Sequence, residues 1–134
     1  MILLDTNSCI AIMNARRPQV RERLERAVDG GDIVLVPSIV AFELWFGAVN
    51  SDRIEANTKG LQDFLTEFEV LSFDEEDARL AGEIRFDVKQ KGTPIGTYDV
   101  LIAAQTLRHE ALLVTANVRE FSRVPGLRWE NWEA

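Results

Sequence analysis

Apolar and polar positions along the chain fall into short runs that switch between strand-like and helix-like periods. Ile2-Leu3-Leu4 is a continuous apolar run that stops at Asp5-Thr6-Asn7-Ser8, four residue types that cap helices, so a strand followed by a helix is predicted. A second helix is expected from Pro18 to about Val28. Proline suits its first turn, Val20, Leu24 and Ala27 share one side, and Gly30-Gly31 ends it. Ile33-Val34-Leu35-Val36 is apolar throughout and β-branched, the pattern of a strand covered on both faces in a parallel sheet.

Pro37-Ser38 then opens a helix over SIVAFELWFGAV, and another is expected from about Arg53 to Phe68, with Ile54, Leu61, Phe64, Leu65 and Phe68 near helical spacing. Val70 to Phe73 reads as a third strand. Asp74 and Asp77 bracket the start of a helix that runs to about Gln90, and the KGTPIGT loop interrupts the pattern. A strongly apolar helix from Tyr98 to about His109 precedes a strand at Leu112-Leu113-Val114, a polar loop from Thr115 and a short strand near Leu127–Trp129.

Strands alternating with helices of this length predict an α/β fold, with a mostly parallel central sheet of four to five strands flanked by helices. At 134 residues the chain can bury one good core, so one domain over 1–134 is expected. In open sheets of this kind ligands bind beyond the carboxyl ends of the strands. Asp5 and the segment from Thr115 to Asn117 fall there.

A net charge of −7 excludes a broad basic face for phosphate backbones, so any nucleic-acid contact must be local. The same excess is what a carboxylate cluster looks like before its cation is counted. A single cysteine, Cys9, rules out an internal disulfide, and no secretory signal pattern opens the chain, so the cytoplasm is expected and a membrane location is not.

Three carboxylates carry the candidate chemistry. Glu43 is the one charge in an otherwise apolar helix, and a carboxylate in such surroundings needs a cation, a hydrogen-bond network or water at a cleft. Asp5 follows the first strand, where helix capping is the competing explanation. Asp99 lies in the first turn of the apolar helix, where the competing explanation is the helix dipole. Thr97 is expected to supply that helix's cap. An all-oxygen set favours a hard cation such as Mg2+, and with one Cys and one His in the chain zinc is not expected.

The segments ILLDTNSCIAI, VAFELWFGA, KGTPIGTYDVLIAA and TANVREFSRVPGLRWENW resemble, in their order and spacing, the PIN-domain ribonucleases and within them the VapC-type toxins of toxin–antitoxin pairs. The resemblance implies a PIN-like domain in which Asp5, Glu43 and Asp99 bind Mg2+, with Mn2+ as a substitute, and the ion activates water against an RNA phosphodiester. Glu43 or Asp99 then accepts a proton. It also implies an RNA substrate, a cognate antitoxin that fills the site, a homodimer and a toxin–antitoxin hetero-oligomer. Many relatives carry a fourth acid after the last long strand. Here Asn117 stands there as a further catalytic candidate, with Glu120 as an acidic substitute and Thr6 and Asn7 as hydrogen-bonding neighbours.

Other features have structural explanations. Arg16, Arg17, Arg21, Arg23 and Arg26 lie among Glu22 and Glu25 at spacings suited to intrahelical pairs, whereas Lys89 and Lys91 lead into the Asp99 loop and are better placed for phosphate. Cys9 is expected to be a small buried hydrophobe rather than a nucleophile served by His109. Trp45 and Phe46 are expected in the core, or against a partner. Two other classes remain. A receiver-like phosphoacceptor domain would need paired acids after the first strand and a late lysine that the sequence lacks, and a non-catalytic protein-binding module would use the fold without its chemistry.

Overall fold

The computed structural model describes residues 1–134. The strands are β1 (Ile2–Leu4), β2 (Val34–Pro37), β3 (Glu69–Leu71), β4 (Leu112–Val114) and β5 (Arg128–Glu130), and the helices α1 (Thr6–Asn14), α2 (Pro18–Asp29), α3 (Ser38–Val49), α4 (Ile54–Leu65), α5 (Glu75–Gln90), α6 (Thr97–Arg108) and α7 (Val118–Phe121). One five-stranded sheet has the order β3-β2-β1-β4-β5, and every pairing is parallel. No helix is long and apolar enough to cross a membrane.

The apolar runs explain the middle of the sheet. All residues of β1 and β2 are buried, as a central parallel strand requires, while the edge strands β3 and β5 are partly exposed. Ile33 lies outside β2 and is largely exposed. The β3 strand begins one residue earlier than the pattern predicts and ends two earlier. Thirty buried apolar residues form one contiguous core, so the helices on the two faces pack onto a shared interior. Leaving β1, the chain runs outward through β2 and β3 and then returns to the other side of β1 for β4 and β5. The order therefore reverses between β1 and β4, and the carboxyl ends at that reversal are where open sheets of this kind bind their ligands.

Helix ends were read with mixed success. Asp74 and Asp77 form the expected reciprocal capping box at the start of α5. Asp77 is also fully buried, and it meets Arg108 at the far end of α6, which ion-pairs with Asp74 and Glu76 as well. Gln105 donates from Nε2 to the carbonyls of Leu71 and Ser72 at 2.8 and 3.1 Å, tying α6 to the end of β3. At the start of α6 the cap position is Gly96, not Thr97, and no side chain caps it. The arginines of α2 and the turn before it pair with other elements rather than within the helix: Arg17 with Glu133, Arg21 with Glu67 and Arg23 with Glu130. Their partners come from the chain terminus and from neighbouring strands, which sequence spacing does not reveal.

Candidate active site

Asp5 comes directly after β1 and is buried. Its side chain accepts the Ser8 backbone N–H at 2.9 Å and caps α1, so the capping explanation is correct as far as it goes. Burial pushes the Asp5 carboxyl above its ordinary range, against hydrogen bonds from Thr115 and Ser8 that favour the charged form. Ser8 Oγ in turn donates to the Val114 carbonyl at 3.1 Å, and Asp5 N–H to the same carbonyl at 3.1 Å. The ends of β1 and β4 are locked together at the floor of the cleft.

Glu43 reaches the cleft from the middle of α3. It is half-buried, and Thr6 Oγ1 donates to it at 2.8 Å, so the expected polar partner exists and comes from α1. The helix around it is not wholly enclosed. Phe42, Trp45, Phe46 and Val49 are exposed, which corrects the expectation of a core position for Trp45 and Phe46 and explains how so apolar a helix lies at the edge of the fold. Phe42 packs edge-to-face on Tyr98 of α6, with ring centres 5.5 Å apart.

Asp99 is brought to the same cleft by the first turn of α6. Asn117 donates through Nδ2 to Asp99 at 3.0 Å and to Glu120 at 2.9 Å, and Gly96 N–H donates to Glu120 at 3.3 Å. Asn117 therefore acts as a strut between two carboxylates, with Glu120 standing beside Asp99. The α7 helix, a single turn within a polar loop, is too short to show a hydrophobic period. That turn is what swings Glu120 back beside Asn117.

Charge repulsion links the four groups. Burial raises the Asp99 carboxyl to about 7, helped by its hydrogen bond with Glu120 and by the negative charges of Glu120, Asp5 and Glu43. Glu120 is held below its usual range by the hydrogen bonds from Asp99, from Asn117 and from Gly96 N–H. Asp99 is thus the carboxyl that keeps a proton, and Glu120 the charged acceptor beside it. None of the four makes an ion pair with a basic side chain.

The donor set is all oxygen, as a hard divalent cation prefers. No three acidic, thiol or imidazole side chains stand close enough to cage an ion by themselves. Magnesium sites are commonly built from one or two carboxylates, waters and substrate phosphate, so donor chemistry and mutual repulsion fit such an ion. Cys9 is buried and its thiol is pushed up by desolvation, which leaves it inert. His109 sits at the opposite end of α6 from Asp99.

Residues 2–127 match the family model described as PIN domain. The chain belongs to the PIN domain family. This PIN domain is 37% identical over 130 residues to the tRNA(fMet)-specific endonuclease VapC of Salmonella typhimurium, covering 97% of the chain and 96% of that protein. It is also 37% identical to ribonuclease VapC2 of Rickettsia felis over 131 residues, 98% and 97% of the two chains. Among solved structures, the crystal structure of VapBC2 from Rickettsia felis bound to a DNA fragment from its promoter superposes with a TM-score of 0.92 at 36% identity, covering 98% of this chain and 99% of that one. A VapC-type PIN domain is what the four sequence segments implied. A receiver-like domain is set aside by this match.

Proposed function

We propose that this chain is a single-domain, magnesium-dependent endoribonuclease and the toxin of a toxin–antitoxin pair. The observation that supports it most is the gathering of Asp5, Glu43, Asp99 and Glu120 at the point where strand order reverses, with no cationic side chain paired to any of them. Its VapC relatives are named as ribonucleases. Asp5, Glu43 and Asp99 are the residues assigned to hold Mg2+, with Mn2+ as a substitute. When bound, such an ion supplies Lewis acidity at the phosphate and lowers the pKa of water.

The chain's own groups divide the remaining work. Asn117 fixes the spacing of Asp99 and Glu120 by donating to both carboxylates. Glu120 takes the position of the fourth acid, and Asn117 orients it rather than replacing it. Thr6 holds Glu43 in its rotamer through the 2.8 Å hydrogen bond. In the metal-free chain the Asp99 carboxyl titrates at about 7, and an ion bound there would displace that proton.

The partner is assigned as an antitoxin, since the structural neighbours include VapBC complexes. The exposed apolar stretch of α3 through Phe42, Trp45, Phe46 and Val49 supports a homodimer as well. The activity is assigned to the cytoplasm, a location consistent with an RNA substrate. The test is cleavage of total cellular RNA, mapped by end sequencing, with initiator tRNA examined first because the Salmonella relative is named for it. Cleavage with Mg2+ or Mn2+ that stops in chelator and in Asp5→Asn is expected. Undiminished cleavage by Asp5→Asn and Asp99→Asn would refute the carboxylate assignment, and folded protein without ribonuclease activity would favour the non-catalytic binding module.

A further inference from the structure

Beside the acidic cleft lies a second cavity of about 740 Å3, within the range of about 300–1,000 Å3 common for small-ligand pockets. Asn7 and Asn14, seven residues apart on α1, share one helix face and line it together with Arg16, Asn117 and the ion-paired Arg17 and Glu133. Along the helix axis the two α1 amides are about 10 Å apart. Asn117 belongs to both places: its Nδ2 braces Asp99 and Glu120 while the residue forms part of this wall. The cavity therefore adjoins the proposed reaction centre through Asn117.

Its chemistry is specific. Three of nine lining residues are hydrophobic, against seven of 16 in the neighbouring groove between α1, α3 and α4, so the cavity is the polar one of the two. A carboxamide donates and accepts at once, which matches the edge of a base, and a guanidinium matches phosphate. Arg17, Arg21 and Arg23 are occupied by Glu133, Glu67 and Glu130. Arg16 has no acidic partner. Its backbone N–H is held by Asn14 Oδ1 at 3.2 Å, after Ala15 ends α1 in the left-handed region at φ 54°, so its place at the rim is fixed by the turn.

We infer that this cavity is a nucleotide subsite for single-stranded RNA, in which Asn7 and Asn14 meet the base next to the cut phosphodiester and Arg16 meets the adjoining phosphate. The inference rests on the ribonuclease reading for what is cut, but it concerns binding and is tested without cleavage. In an Asp99→Asn background, a fluorescent single-stranded RNA of about twelve nucleotides, within the usual site size of such binders, is titrated in chelator and followed by anisotropy. Arg16→Glu weakens binding about tenfold or more and flattens its salt dependence. Asn14→Ala weakens it about fivefold, and in the Asp99 background restored to wild type it changes the base preference at one position beside the cut. Both residues are exposed, so unchanged melting temperatures verify folding.

The outcomes separate the two readings. RNA binding that neither substitution changes, in a protein whose wild type still cuts RNA, overturns the subsite and leaves the ribonuclease standing. Loss of binding in both variants, where the wild type cuts nothing with any divalent cation, supports the subsite and removes the nuclease. Unchanged RNA binding with a weakened grip on a coexpressed antitoxin makes the cavity a protein contact and overturns the proposal.

Discussion

Two groups of acidic side chains lie at opposite ends of α6, and they differ in whether the fold provides their cation. At the carboxyl end, Asp74, Glu76 and Asp77 surround Arg108, whose guanidinium contacts all three. There Asp74 is held below the ordinary carboxylate range, first by the Asp77 backbone N–H and then by the charge of Arg108. At the amino end, Asp99 stands with Glu120, Asp5 and Glu43, none of them ion-paired to a base, and burial first, then its acidic neighbours, pushes it up to about 7. The same residue types make a structural joint in one place and an unsatisfied site in the other. Acid count alone is uninformative. What separates the two is the ion-paired counter-charge: where the fold supplies none, repulsion is relieved by a proton or by a bound cation.

The contrast is broken most severely by neutralising one carboxyl at each end. Asp99→Asn should lower RNA cleavage more than about 100-fold, beyond the 10–100-fold typical of groups one step removed from a metal, while melting at or above the wild-type temperature. Single-turnover cleavage beside a thermal scan measures both. Arg108→Ala should do the reverse. It strands the buried Asp77 carboxylate without its cation, leaving only the Asp74 N–H, and should lower the melting temperature by roughly 10 °C, with cleavage per folded molecule unchanged at a temperature where the variant is folded.

A pH series sharpens the comparison. In the folded, metal-free chain Asp99 keeps its proton to about 7, whereas in the unfolded chain it loses it in the ordinary carboxylate range. Between those values the folded state binds more protons, so stability falls as pH rises. Asp74 works in the opposite sense, adding stability above the usual carboxylate range that is lost as pH falls. Urea midpoints in chelator should therefore drop between about pH 5 and about pH 7.5. The drop should shrink in Asp99→Asn without vanishing, because Asp5 is raised too, and Mg2+ should reverse it at the higher pH. The smallest effect is expected for Thr6→Val, which removes only the hydrogen bond to Glu43: cleavage about tenfold slower and stability lower by about 1 kcal/mol, read from the same two assays.

The strands and long helices were legible because their apolar runs obey the periods of buried strands and amphipathic helices. Glu43 was legible for a related reason, as a lone charge in an apolar helix. The fourth acid was harder. Asn117 occupies the sequence position, but Glu120 occupies the space, and the difference is made by a one-turn helix too short to show a period. The α2 arginines and the exposed α3 face were misjudged because both depend on long-range neighbours. Arg17 and Arg23 find their acids more than a hundred residues away, and apolarity does not say whether a helix faces its own core or another surface.

The position of β1 at the centre of the sheet has a consequence in time. Its residues pair with both Val34–Leu35 and Leu112–Val114, so the first strand synthesised waits for nearly the last one before the cleft has two walls. Until the ribosome has made the segment through Glu120, Asp5 and Glu43 exist on a chain with no floor at the reversal point and no fourth acid. If the chain is the ribonuclease proposed above, it is thus unarmed during most of its own translation, and the delay is written into strand order alone.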